Sequence, residues 1–263
     1  MKNKPISESK WRRTQEVILR ERVFRVLQKQ MRWVVKEAKN IEAFSNNTTD
    51  YEIQELLTGW KYDEELHDVM AASIRASILR GGRVMIRDLG LAKFGISWDL
   101  KNPYTRKLMF ARREFELSDR QGTISSTTKE RIKKLLKDGA DQGLSYQQMS
   151  AQIREQSIEG VFSKARGEMI AVTEVGRAYG DAQFQVVTDF RTRYPEIEME
   201  KQWITAEDDR VRPAHVANGA DGWIPVDQAF SGTNEQNAPS SEFRCRCTFS
   251  TRILAPPDEE SPS

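Results

Sequence analysis

From Lys164 to Tyr194 the chain keeps helical periodicity without a proline, and no other feature restricts the fold as much. Ala165, Met169, Val172, Gly176, Tyr179, Ala182, Val186 and Phe190 recur at steps of three and four, which places one apolar stripe along a helix of about 45 Å. Gly176 and Gly180 each cost about 1 kcal/mol against alanine inside a helix. Their presence predicts that another backbone approaches closely and that this helix lies deep in its domain. Pro195 ends it.

A second long helix is expected over Ser9 to Asn40. Val17, Phe24, Leu27, Met31, Val34 and Ala38 form its apolar stripe, and Arg22, Arg25, Lys29, Arg32 and Lys36 fall on the opposite side. That basic back reads either as a solvated face or as a contact for nucleic-acid phosphate or an acidic partner. Charge is unevenly spread. Residues 1–40 hold twelve Lys or Arg against four Glu, a net of +8, and residues 196–263 hold six against thirteen acids, a net of −7. An imbalance of this kind bears on partners rather than on fold.

Between these helices, "NIEAFSNNTTD" reads as a loop, and helical spacing returns over Tyr51–Leu57 and from Asp63 to about Leu79, where Gly81 and Gly82 interrupt it. "FGISWDLKNPY" is turn-rich, and Pro103 opens a helix to about Glu116. After a break at "SDRQGTISSTT", Thr127 or Thr128 caps a helix through Lys137, and Ser145 caps another to Ile153. Beyond Pro195 the period changes to two. "IEMEKQWIT" and "FRCRCTFSTRIL" read as strands, and "DGWIPVD" as a short edge strand. "APPDEESPS" is Pro-rich and acidic, a composition expected to stay disordered.

The fold class is therefore α+β, mostly α-helical with a small C-terminal β element. Its expected parts are a helical region over 1–118, a second domain over 119–253 and a disordered tail over 254–263. No run of eighteen apolar residues offers a membrane span. "MKNKPISESKWRR" lacks the apolar stretch of a secretory signal. Two cysteines are too few for a disulfide framework, so a reducing cytoplasm is the default.

Those two cysteines are the chemistry. Along an alternating strand, Phe243, Cys245, Cys247 and Phe249 share one face, and Arg244, Arg246, Thr248 and Ser250 the other. Three readings stand: two small buried apolar side chains, two corners of a zinc tetrahedron, or a Cys–His nucleophile. A metal would take His215 as third ligand and Asp208 or Asp209 as a fourth; His67 reads as a surface residue. Glu174, three residues before Arg177, reads as a surface or structural ion pair. No Walker loop, Rossmann glycine pattern, GxSxG or HExxH occurs.

Three blocks in order resemble the phage head-morphogenesis family of Mu F-like minor head proteins. They are "ARGEMIAVTEVGRAYGDAQFQ", "QWITAEDDRVRPAHVANGADGWIPVDQAF" and "FRCRCTF". The matching positions include Thr173, Glu174, Trp203, Thr205, Asp209, Arg210 and Arg212, and the helical lead-in from residue 120 fits as well. The sequence departs from the pattern at Arg244, where the family often carries Asn. The resemblance implies a virion component assembled in the bacterial host cytoplasm. Such a component sits at the portal vertex or head interior, binds portal, capsid or scaffold protein, and contacts double-stranded DNA. It implies no catalytic residue. It also implies that His215, Cys245 and Cys247 act together as a structural cluster, and Asp209 is the fourth ligand expected if that cluster holds zinc. The alternative is a metal-dependent nuclease or other hydrolase using His215 and nearby acids.

Overall fold

The computed structural model describes residues 5–39, 50–117, 123–234 and 242–254. The expected loop over 40–49, the break at 118–122 and the tail from 255 fall outside them. The chain forms two compact units, one drawn from residues 1–73 and 111–171, the other from 74–110 and 172–263.

The first unit is helical. It contains α1 (Pro5–Ala38), α2 (Asp50–Thr58), the start of α3 (Tyr62–Leu89), the end of α4 (Pro103–Leu117), α5 (Ile124–Asp141), α6 (Tyr146–Glu155) and the first turns of α7 (Lys164–Arg193). Leu19, Val23, Val26, Leu27 and Val34 of α1 are buried with Ile53, Leu66, Ile132, Leu136, Met149 and Ile153. The buried face of α1 is thus rotated from the expected one: Val17 is exposed, and Leu19, Val23 and Val26 replace it. Apolar residues occur on more than half of this helix's circumference, and tertiary partners choose among them. The sequence places the N-cap of α5 at Thr127 or Thr128, but Thr123 fills it, its hydroxyl accepting from the Ser126 amide. Thr128 is instead buried and accepts from the buried guanidinium of Arg166 at 2.8 Å. Ser145 caps α6 in a full capping box with Gln148.

The second unit packs the remainder of α3 and α7 with a three-stranded antiparallel sheet. Its strands are β1 (Met199–Ile204), β2 (Ile224–Pro225) and β3 (Thr248–Ile253), in the order β2-β1-β3. Trp203 pairs with Phe249 and Lys201 with Thr251 across β1 and β3. The expected interruption at Gly81 and Gly82 does not occur, since α3 runs through both to Leu89. The glycines serve packing instead. A Cβ on Gly81 would stand 2.3 Å from the Tyr179 carbonyl oxygen of α7, and one on Gly82 2.3 Å from the Trp98 ring. Gly81 of α3 therefore supplies one close approach to the backbone of α7. The cysteines also move relative to expectation. Residues 245–247 form an irregular run ahead of β3, and Phe243 is exposed.

Candidate metal centre

A short helix that the sequence analysis did not anticipate carries the histidine. It is α8 (Pro213–Ala220), opened by proline at its first position and preceded by Arg212 in extended conformation. His215 sits on its first turn and is buried. Asn218, one turn on, is also buried. Its side-chain carbonyl accepts from the amides of Gly232 and Thr233 and its NH2 donates to the Thr233 hydroxyl, which ties the following loop to α8.

The thiols arrive from the other side. Arg244 takes a left-handed conformation, φ 59°, and its amide donates to the Thr173 hydroxyl of α7 at 3.0 Å. That kink turns Cys245 and Cys247 inward. Both sulfurs lie 3.7 Å from His215 Nδ1. Trp203, Ile224 and Phe230 pack around them, with the Trp203 and His215 rings 5.0 Å apart. The Cys245 thiol, followed by Trp203, His215 and the Ala206 amide, holds the Cys247 thiol down at about 5 against burial, which pushes it up. The shift favours the thiolate, the form that ligates metals.

The trio fits a metal. Its three donor atoms lie within 4.8 Å of one another. Ligands about 2.3 and 2.1 Å from a tetrahedral zinc ion stand about 3.6 Å apart, close to the separations found here. His215 Nε2 is buried without a hydrogen bond among the described residues, and the Glu242 carboxylate faces it at 3.9 Å. Arg212 holds Glu242 at 2.7 Å and donates to the Phe243 carbonyl, so the N-terminus of α8 grips the cysteine run directly.

Of the residues singled out in sequence, the structure brings together His215, Cys245, Cys247 and Trp203, with Thr173 and Arg212 supporting them. Asp209 is exposed and does not join the trio, and Arg210 pairs with Asp208. His67 stands beside Asp68 on α3. Thr205 packs on Gly219 of α8. Glu174 is buried, 3.8 Å from Arg177. On α1, Arg25, Lys29, Arg32 and Lys36 are exposed and Arg22 is half-buried, while Lys29 pairs with Glu65. Glu242 and Asn218 went unnoticed in the sequence. Nothing local marks Glu242, which lies 27 positions from the histidine it faces.

A buried lysine adjoins the site. Lys201 of β1 is fully buried, its ammonium 4.7 Å from the Phe230 ring centre and 5.9 Å from that of Phe184. Burial lowers its pKa from 10.5 to about 8, with Asp227 opposing. Between about 8 and 10.5 the unfolded chain binds a proton that the folded chain releases, so stability rises with pH through this window. Lys201→Met should therefore stabilise the protein at pH 7 by roughly 1–3 kcal/mol, an advantage that shrinks towards pH 10. Urea titrations of both proteins across that range check it. A variant less stable than the parent at pH 7 would show that the ammonium is needed.

Residues 130–250 match the family described as Phage Mu protein F like protein. No curated protein and no solved structure matches the chain. No helix among the described residues is long and apolar enough to cross a membrane.

Proposed function

We propose that the chain is a minor head protein of the virion, taking the match of residues 130–250 to the Phage Mu protein F like family, a family of phage head morphogenesis, as the sign of that role. It acts at the portal vertex or head interior in assembly, DNA packaging or delivery, by binding rather than by catalysis. The family match is the observation that carries this reading. The binding face is the basic side of α1. Arg25, Lys29, Arg32 and Lys36 are exposed at steps of four, three and four, with Arg22 one turn before them. Such a ridge suits the acidic surface of a portal, capsid or scaffold protein, or packaged DNA. Reversing all five charges should abolish co-sedimentation with portal or duplex DNA and flatten its salt dependence. Unchanged binding and an unchanged salt slope would remove α1 from the interface.

In the second unit, His215, Cys245 and Cys247 hold a structural zinc. Sulfur and imidazole donors suit that ion, and a thiol shifted towards the thiolate lowers the cost of binding it. Glu242 positions the histidine. With Nε2–H turned to its carboxylate, Nδ1 keeps its lone pair for the metal. Glu242→Gln should reduce zinc affinity about tenfold to a hundredfold in competition with a chromophoric chelator, with the unfolding transition of the zinc-saturated protein retained. Equal affinities would strip Glu242 of this role.

One observation favours a second reading. Three ligands rather than four is the set found where a metal activates water. Among the described residues, the carboxylate lining the cleft at the trio is Asp208, a poor general base. The Arg210 hydrogen bond and the charges of Arg210 and Arg246 hold it below the usual carboxylate range. The structural role therefore stands first.

A further inference from the structure

We propose that the outward face of α1 docks an acidic helix of a partner protein along its length, with Val17 and Ile18 seated against apolar side chains at one end. This rests on the reading of α1 as the binding face and names the partner that face fits.

Ile18, Arg22, Arg25, Lys29, Arg32 and Lys36 follow one another at alternating steps of four and three, within the unbroken helix Pro5–Ala38. At about 100° per residue they stay within about 80° of the circumference, on a line about 27 Å long. Alternating fours and threes is the spacing by which one helix keeps a single line towards another. Arg25, Lys29, Arg32 and Lys36 are exposed, and Arg22 is half-buried. At the N-terminal end of the line Ile18 is 38% exposed, and Val17 beside it 48%.

Two carboxylates stand near this line. Glu65 pairs with Lys29, and Glu21 pairs with Arg20 and Lys164. Exposed pairs of this kind are weak, so the carboxylates of a partner displace them at small cost.

Shape separates the two classes of anionic partner. A duplex turns through about three-quarters of a revolution in 27 Å, so a straight ridge crosses its phosphate lines instead of following one. A helix lying in the major groove meets phosphates on both flanks, whereas these cations share one line. Phosphates also offer no surface for Ile18 and Val17. A second helix answers both features. Its own side chains recur on a straight line, and glutamates or aspartates at matching steps meet the cations one by one. The long stems of Arg and Lys add apolar cover beneath the charges.

The two ends of the face then do different work. The cations set orientation and the rate of encounter, and salt screens them. Ile18 and Val17 supply the part of the affinity that salt does not screen.

The test uses the full chain and a labelled synthetic helix about 20 residues long, about 30 Å. It carries glutamates at matching steps and leucines at one end, and fluorescence anisotropy reads its binding. A peptide of the same composition with the glutamates scrambled is the control. The spaced helix should bind about tenfold or more tightly than the scrambled one, and reversal of the five charges should abolish binding. Val17→Ser combined with Ile18→Ser should weaken the spaced helix about fivefold or more, and leave binding of a short DNA duplex and the thermal unfolding transition unchanged. Both side chains are exposed, so the fold does not depend on them. Equal affinity for spaced and scrambled peptides would overturn the proposal, as would a serine variant that binds the helix as the parent does. A duplex bound more tightly than the helix through the same cations would overturn it too, while keeping α1 as the binding face. Self-association of the parent that is lost on charge reversal would make a second copy the occupant, and the proposal would fall. A chain that binds neither probe refutes it, and co-sedimentation of the charge-reversed protein with portal then decides separately whether α1 is a binding face.

Discussion

His215→Ala is expected to lose about one zinc per chain and, with it, the fold of the segment from β1 to β3. The sheet has two six-residue strands and one of two residues. Among the described residues, the cluster around the thiols holds Trp203, Ile224, Phe230, the two cysteines and, at its margin, Val211. Between the strands, 205–212 and 226–234 have no regular structure. A structural zinc binds with an apparent 10–16 kcal/mol, roughly the whole stability of an ordinary domain. Removing one of three ligands should thus lower the melting temperature by well over about 10 °C and abolish the near-ultraviolet circular dichroism of buried Trp203. Elemental analysis with thermal unfolding reads both effects, and an excess of chelator should reproduce them in the parent protein. A folded, zinc-free variant that had lost a hydrolytic activity would favour the catalytic reading. A parent protein that carries no metal and folds would return the two thiols to the apolar core.

The second large effect is expected at Gly81. Alanine in mid-helix gains about 1 kcal/mol over glycine, so propensity alone predicts a more stable protein. Packing predicts the reverse. The new methyl would lie 2.3 Å from the Tyr179 carbonyl oxygen, and that oxygen belongs to the backbone of a long buried helix, which cannot turn away as a side chain can. Overpacking of this kind costs about 1–3 kcal/mol and at times more, so with the propensity gain set against it Gly81→Ala should lose about 1–2 kcal/mol net in urea unfolding. A variant as stable as the parent would mean that the two helices separate at little cost.

Sequence served best where structure follows local pattern. The span of α7, the cap at Ser145 and the alternation of β1 all rest on residues within one turn or one pleat, and the bounds expected from them fall within about two positions of those found. It failed where the deciding partner is distant. Gly81 and Gly82 look like a break until Tyr179 and Trp98 are set against them. Thr128 looks like a cap until Arg166 claims its hydroxyl, and Val17 looks like core until Leu19 and Val23 take its place. The centre was half legible. Paired thiols and a histidine announced themselves by rarity, but α8 is only eight residues long, and Glu242 meets His215 only after the cysteine run has folded onto it.

The strand order β2-β1-β3 sets a schedule on the ribosome. Lys201 finds its partner Ile224 after 23 further residues, but its other partner, Thr251, only after 50. His215 likewise waits 30 residues for Cys245. The helices of the first unit close through short-range bonds as they emerge, and the sheet and its centre can close only when the last strand has been translated. Until then the central strand offers an open edge, and the histidine and the first thiol are exposed to whatever else the cell contains. The sheet and its centre therefore mature after the helices of the first unit, limited by non-local pairing rather than by helix formation.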